Sequence, residues 1–289
     1  MNRPLGLALA ALTGVQVGVA LVVTRAIAGD VGPMQLGFLR YGVGVIVLLP
    51  FFLRGRYPPF ARGDALPILG LGVVQFGVLI ALLNAAVTRI SAGQAAVLFS
   101  TFPLMTMAVA AVTGHERLTL RKLAGGALSV LGVTLVIGVT RAPADVIGVV
   151  LALGAAFSGA VCAVLYRPYI ARYPTLQIGT LAMIAAVAAL LPASLFEAPL
   201  SDIARFPAPV WAGVLFIGLS SGAGYVLWLS ALRHAAPTEA TLLMGLSPIV
   251  AAALGWLWLH EPMGAAGLAG IALVLGGIAL ALTGQRRGA

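Results

Sequence analysis

Charge is scarce in this sequence: among 289 residues only 9% are Asp, Glu, Lys or Arg, against 61% hydrophobic side chains. The mean hydropathy is +1.08. A soluble domain carries about 25% charged residues, because its surface must face water. Nine per cent is too little to cover a globule of this size, so acyl chains have to cover the rest. Acids are the scarcer sign, 8 against 17 basic residues. A surplus of +9 would suggest nucleic acid in a soluble chain. Here the basic residues stand singly between apolar runs, without aromatic interleaving, and no nucleic-acid partner is expected. The lone Cys162 excludes an internal disulfide and a cysteine-based metal site. His115, His234 and His260 come without a HExxH helix, paired carboxylates or a Ser/His/Asp set. Neither an enzyme nor a cofactor is expected.

What is present is apolar length. A helix needs about 20 residues to cross the hydrocarbon core. The chain divides into ten such runs: 5–27, 34–53, 65–85, 91–112, 120–139, 147–166, 176–195, 209–231, 238–259 and 264–283. The first resembles a signal peptide after Met1-Asn2-Arg3. It runs longer than the usual apolar region of such a peptide and has an internal counterpart, so it reads as a retained span. Cytoplasmic loops are rich in Lys and Arg. With the N-terminus inside, only Arg25, Arg89, Arg141 and Arg205 fall outside and Arg40 falls within a span, leaving 12 of the 17 basic residues on the cytoplasmic side. Both termini are expected in the cytoplasm of a multi-pass bacterial inner-membrane protein.

The ten runs form two sets. A shift of 145 places Pro103 on Pro248, His115-Glu116 on His260-Glu261, Gly77 on Gly222, Gly125 on Gly270 and Gly132 on Gly277. A shift of 142 places Gly6 on Gly148, Arg25 on Arg167, Gln35-x-Gly37 on Gln177-x-Gly179 and Pro50 on Pro192. The halves, 1–142 and 143–289, meet near Pro143. Each holds five spans, an odd number, so the second enters the membrane upside down relative to the first. Inverted repeats are a mark of secondary transporters, which place substrate at the repeat interface near mid-membrane. Inversion also sends His115 and His260 to opposite faces, so they share no site.

The ten spans, the two five-helix halves and the two Gly/Ser/Thr-rich spans ending in His-Glu resemble the EamA-type branch of the drug/metabolite transporter superfamily over essentially the whole chain. Within it the chain looks most like the YddG-type exporters of aromatic amino acids. The resemblance implies an all-α integral membrane fold with a central cavity. It also implies outward transport of small, amino-acid-like metabolites by alternating access. Another metabolite or drug as cargo is the alternative within the same fold. A passive channel would need a continuous polar stripe, which the isolated polar residues do not provide. The expected partners are a small-molecule substrate and the lipid bilayer, and nothing in the chain demands more than a monomer.

Polar side chains at mid-membrane usually face a bundle interior or a wet cavity. Gln16 in the first span has Ser158 as its mate in the sixth, and Gln75 in the third has Ser220 in the eighth. Ser100 and Thr101 flank Pro103, and Ser247 flanks Pro248. The eighth span carries Ser221, Tyr225 and Trp228 at helical spacing, and the third offers Phe76 at an equivalent depth. The expected cavity is thus lined by Gln16, Gln75, Phe76, Ser100, Thr101, Ser158, Ser221, Tyr225, Trp228 and Ser247. An apolar or aromatic ligand with polar ends would suit it. Ser and Thr also bond their own backbone, and Trp228 also fits an interfacial belt. Pro103 and Pro248 are expected to kink their spans and act as hinges, a static kink being the alternative. Glu116, Glu239 and Glu261 are candidates for gating or coupling. The alternative places Glu116 and Glu261 at the N-terminus of the helix that follows each, and makes Glu239 a first-turn acid. Arg40, inside the second span, either snorkels outward, which is favoured, or pairs with a substrate carboxylate.

Overall fold

The computed structural model describes residues 2–27, 30–87, 89–90, 98–137, 145–199, 203, 205–259 and 265–283. Among these every regular element is helical. Helix α1 is Arg3–Ile27 and α2 is Pro33–Arg54; α3, Ala65–Gly72, passes through a π-helical stretch, Val73–Val78, into α4, Leu79–Val87. Then come α5 (Phe102–Val112), α6 (Leu120–Ile137), α7 (Val146–Leu165), α8 (Arg167–Arg172) and α9 (Thr175–Glu197). The chain closes with α10 (Ala208–His234), α11 (Pro237–Leu243), α12 (Leu246–Leu259) and α13 (Ala265–Thr283).

Seven of these stretches are long and apolar enough to cross a membrane: Arg3–Thr24, Pro33–Arg54, Ala65–Leu83, Val146–Arg172, Thr175–Glu197, Ala208–His234 and Ala265–Leu282. Their outward faces carry large apolar side chains such as Ile46, Phe157, Phe216 and Leu275, all exposed. Such a surface is at home only in lipid. The expected fifth span corresponds to α6. The expected fourth and ninth spans are interrupted rather than merely kinked. Ser100 and Thr101 form a turn before α5, with Thr101 N–H donating to the Leu98 carbonyl at 3.1 Å. Met244 and Gly245 separate α11 from α12, their N–H groups donating to Thr241 and Leu242 at 3.1 and 3.0 Å. Pro103 and Pro248 lie in the first turn after each interruption. A proline there has no N–H to give to the preceding turn and its ring crowds that turn's carbonyl, so the helix restarts.

Close packing rests on small residues. Helix α6 lies along α13 with Gly125 against Gly277 and Gly132 against Gly270, an antiparallel crossing. Helix α2 lies along α9 in the same sense, Gly32 near Glu197 and Gly44 near Met183. Helix α1 packs on α10 and on the interrupted pair α11–α12. A Cβ at Gly14 would come within 2.5 Å of the Leu243 carbonyl oxygen, and one at Gly18 within 2.6 Å of that of Ser247. The Gly14-x-x-x-Gly18 ridge therefore supports both sides of the break at Met244–Gly245. Without a hydrophobic drive between helices in lipid, such backbone proximity is what van der Waals attraction requires.

Candidate functional site

The interior is aromatic where the helices converge. Phe76 sits in the π-helical stretch, which widens the turn and carries its neighbour Gln75 along, half-buried. The Phe76 ring meets Tyr225 of α10 edge-on at 4.4 Å and Tyr41 of α2 at 4.6 Å. Tyr166, just beyond α7, lies 6.3 Å from Tyr225. One turn further along α10, Trp228 faces Phe102 at 6.4 Å, and Phe102 stacks with Phe99 at 5.9 Å. Trp228 is only 7% exposed, so it belongs to this interior cluster and not to an interfacial belt. Phe76 and Tyr225, expected from the sequence to share the cavity, are in direct contact. Tyr41, Tyr166, Phe99 and Phe102 join them without having been singled out. For Tyr41, Phe99 and Phe102 the sequence signal is an aromatic ring in the inner part of a span, whereas Tyr166 stands at the end of one.

The polar residues divide into those that reach another helix and those that do not. The Gln16 amide donates to the Ser220 hydroxyl, joining α1 to α10. Arg40 turns inward, contrary to the snorkelling expectation: its Nε donates to the Ser221 hydroxyl, which itself donates to the Ile217 carbonyl at 2.6 Å. The guanidinium carbon lies 5.7 Å from the centre of the Tyr41 ring. Arg40 thus places a cation against the aromatic group. Ser158 and Thr101 bond the carbonyls of their own helical turns, Gly154 at 2.8 Å and Leu98 at 2.6 Å. Ser100 stands at the first interruption, and Ser247, half-buried, at the start of α12 beside Gly18.

The third group of residues lies at the face that carries the N-terminus. Glu239 is buried in the first turn of α11, where its carboxylate accepts from Arg3 Nη2 at 2.7 Å and Nε at 3.0 Å. Arg3 also donates to the Leu282 carbonyl at 3.0 Å, so one guanidinium links α1, α11 and α13. Glu116 accepts from Lys122 Nζ at 2.6 Å and from the Thr238 N–H at 3.2 Å. Both side chains of that pair are nearly buried. The helix N-terminus that Glu116 meets is therefore that of α11, in the other half of the chain, not that of the helix following it. Asp64 accepts from Arg172 Nη1 at 2.9 Å and from the Tyr173 hydroxyl at 2.7 Å. His115, Glu116, Arg117, Lys122 and Arg167 line a pocket of about 340 Å³ at this face. Arg3, Lys122, Asp64 and Arg172 have no motif to announce them. Glu261 lies outside the described residues.

At the opposite face the described contacts are sparser. Glu197 accepts from the N–H groups of Met34 and Gln35 at 2.8 and 2.7 Å, capping the start of α2. Asp145 caps α7 through Ile147 and Gly148 and meets Arg89 at 3.4 Å.

A model of the EamA-like transporter family matches the chain twice, over residues 4–138 and 146–283. A protein of Streptantibioticus cattleyicolor named "Probable terminal-alkyne amino-acid exporter" is 29% identical over 222 residues, 74% of each chain. Protein PecM of Dickeya dadantii is 26% identical over 207 residues, covering 71% of this chain and 69% of its own. The transporter YyaM of Bacillus subtilis is 24% identical over 232 residues, 77% and 75% of the two chains. A solved crystal structure aligns over 99% of this chain and all of its own, with a TM-score of 0.81 at 21% identity. That likeness is one of fold.

Proposed function

The chain belongs to the EamA-like transporter family, and from that premise we propose that it is a secondary transporter exporting small metabolites, aromatic amino acids among them, by alternating access. The observation that carries this reading is the aromatic centre built where α2, the π-helical stretch, α7 and α10 meet, next to the interrupted helix pair. Substrate held against these rings would lie at mid-membrane. The amino-acid exporter among its relatives supports the cargo class, and the YddG-type exporters are the branch it most resembles.

The architecture of the proposal is ten spans in two inverted halves, 1–142 and 143–289, with both termini cytoplasmic in a bacterial inner membrane. The double family match supports two halves. The antiparallel crossings of α2 with α9 and of α6 with α13 support inversion, because each joins repeat mates. Further support comes from exchange: α1 packs on α10 as α7 packs on α4, each the partner pair of the other under the repeat. A monomer is sufficient for this scheme.

Movement is assigned to the two interruptions. With the turns at Ser100–Thr101 and Met244–Gly245 as joints, Pro103 and Pro248 keep the helices from closing over them. The half-helices beyond then tilt against the Gly14–Gly18 ridge. Glu116 and Glu239 act as latches that hold the N-terminal face shut, and Glu261 is their proposed counterpart at the other face. Gln16, Gln75, Ser100, Thr101, Ser158, Ser221 and Ser247 complete the cavity wall with Phe76, Tyr225 and Trp228.

Flux in proteoliposomes tests the reading. Labelled phenylalanine, tryptophan and leucine are expected to show saturation and counterflow. Flux that rises linearly with concentration and shows no exchange would mean a channel, and no flux of any solute would remove the transport reading.

A further inference from the structure

We infer that Arg40 is the anchor for a substrate carboxylate, so that the cargo is an acid with an apolar or aromatic body. The inference rests on the transport reading and deepens it.

Arg40 lies within a membrane-spanning helix, yet among the described residues no carboxylate is within salt-bridge distance of it. Arginines inside spans are costly and normally mark a pathway or a partner. Among the described residues its one hydrogen bond uses Nε and goes to Ser221, a neutral hydroxyl. The two terminal nitrogens, the part of the fork that holds a carboxylate in bidentate fashion, remain available among these residues. The side chain is half-buried.

What surrounds the charge describes the rest of the ligand. Ser221 and Tyr225 are one turn apart on the same face of α10, and both are buried. The Tyr225 hydroxyl finds no hydrogen-bond partner among the described residues although its residue is only 6% exposed. Phe76 touches Tyr225 and Tyr41, and Tyr41 lies under the guanidinium. A cation, a buried hydroxyl whose polar neighbour is the Tyr166 side chain, and three rings therefore lie together. A carboxylate on Arg40 neutralises the buried charge while an apolar side chain lies along the rings. The Tyr225 hydroxyl is placed for a second polar group, such as an α-amine. A cationic or neutral cargo would leave the guanidinium uncompensated. Without substrate, Ser221 and the Tyr41 face hold the guanidinium in place.

The test compares acids with their isosteric amides in counterflow. Proteoliposomes loaded with L-phenylalanine or L-leucine are challenged with the same amino acid, with its carboxamide, or with phenethylamine. The acids are expected to drive counterflow and the carboxamide and amine to fail by about tenfold or more, the scale of a charge-assisted bidentate contact. Arg40→Gln should remove that discrimination together with most acid flux, while Arg40→Lys, which keeps charge without the fork, retains part of both. Thermal unfolding of each variant in detergent separates a lost contact from a lost fold, and the acid–amide comparison on the unaltered protein needs no variant. If the carboxamides exchange as fast as the acids, or folded Arg40→Gln moves acids at the original rate, the assignment is wrong while the transporter reading stands. If no solute exchanges at all, the transporter reading itself fails and takes the Arg40 assignment with it.

Discussion

At the N-terminal face, Arg3 pairs with Glu239, Lys122 with Glu116 and Arg172 with Asp64, and the carboxylates among them are largely buried. At the opposite face the described residues offer one ion pair, Arg89 with Asp145, with both side chains at least 40% exposed. A pair in water contributes little, because solvent screens the attraction and two long side chains must be ordered. A pair out of water is different in kind: its net worth is small, but removing one partner strands the other. Of the three pairs, Glu116 with Lys122 is the one with both side chains out of water, 8% and 6% exposed, and so the one costly to break by removing a single partner. That is the behaviour the proposed latch requires. The two buried carboxylates also converge on one short helix, α11, which precedes the interruption at Met244–Gly245. In the proposed scheme a latch at that place acts on the joint directly.

The largest effect is expected from Glu116→Ala, which strands the buried Lys122 ammonium and leaves the Thr238 N–H without its acceptor. Loss of about 3–5 kcal/mol is expected for one half of a buried pair, seen as a lower unfolding midpoint in detergent. Adding Lys122→Ala should restore part of it. A double variant no more stable than the single one would show that the pair is not coupled. Next comes Glu239→Gln, which removes the charge facing Arg3. Since the Arg3 side chain is 36% exposed and rehydrates, the expected loss is smaller, ~1–2 kcal/mol. Its clearer sign is faster thiol labelling of a cysteine placed at Ala281 in a Cys162→Ser background.

Gly18→Ala moves the test from the latch to the joint. The added methyl meets the Ser247 carbonyl and Val250, so about 1–3 kcal/mol of overpacking is expected, with transport falling more than stability. Equal transport would show that α1 does not support the moving segment. The smallest effect belongs to the far face. The Gly148 N–H, followed by the Ile147 N–H and Arg89, holds the Asp145 carboxyl below its ordinary value of 3.8 against the opposing effect of burial. A carboxyl lowered in the folded state stabilises it fully above that ordinary value and loses the contribution as pH falls through the lowered one. Asp145→Asn should therefore leave flux unchanged from pH 5 to 8, and any difference from the parent should fade in stronger acid. A marked change near neutrality would mean that this pair is a gate too.

Much of this was legible in the sequence because lipid imposes it. Apolar runs of crossing length, a repeat of small residues and prolines, and the depth of Phe76 and Tyr225 are all one-dimensional facts. What was not legible depends on the rotation of each helix about its axis. Arg40 was expected to snorkel because its distance from the span's end allows it; that it turns to Ser221 follows from how α2 and α10 meet. Gln16 was expected at the cavity, and its partner Ser220 is 204 residues away. The Arg3–Glu239 pair is invisible for the same reason, its members being separated by 236 residues. The prolines were visible, but the helical breaks lie just ahead of them, where the preceding turn loses its donor.

The most direct test of the account uses pairs of spin labels on each face, read as distances by double electron–electron resonance. One pair replaces the exposed Arg117 and Arg233 at the N-terminal face, and the other replaces Arg89 and Arg205 at the opposite face. In the Glu116→Ala, Glu239→Gln protein the first distance should lengthen while the second shortens, because one joint cannot open without the other closing. A lengthened first distance with the second unchanged, or no change in either, would contradict alternating access through this latch.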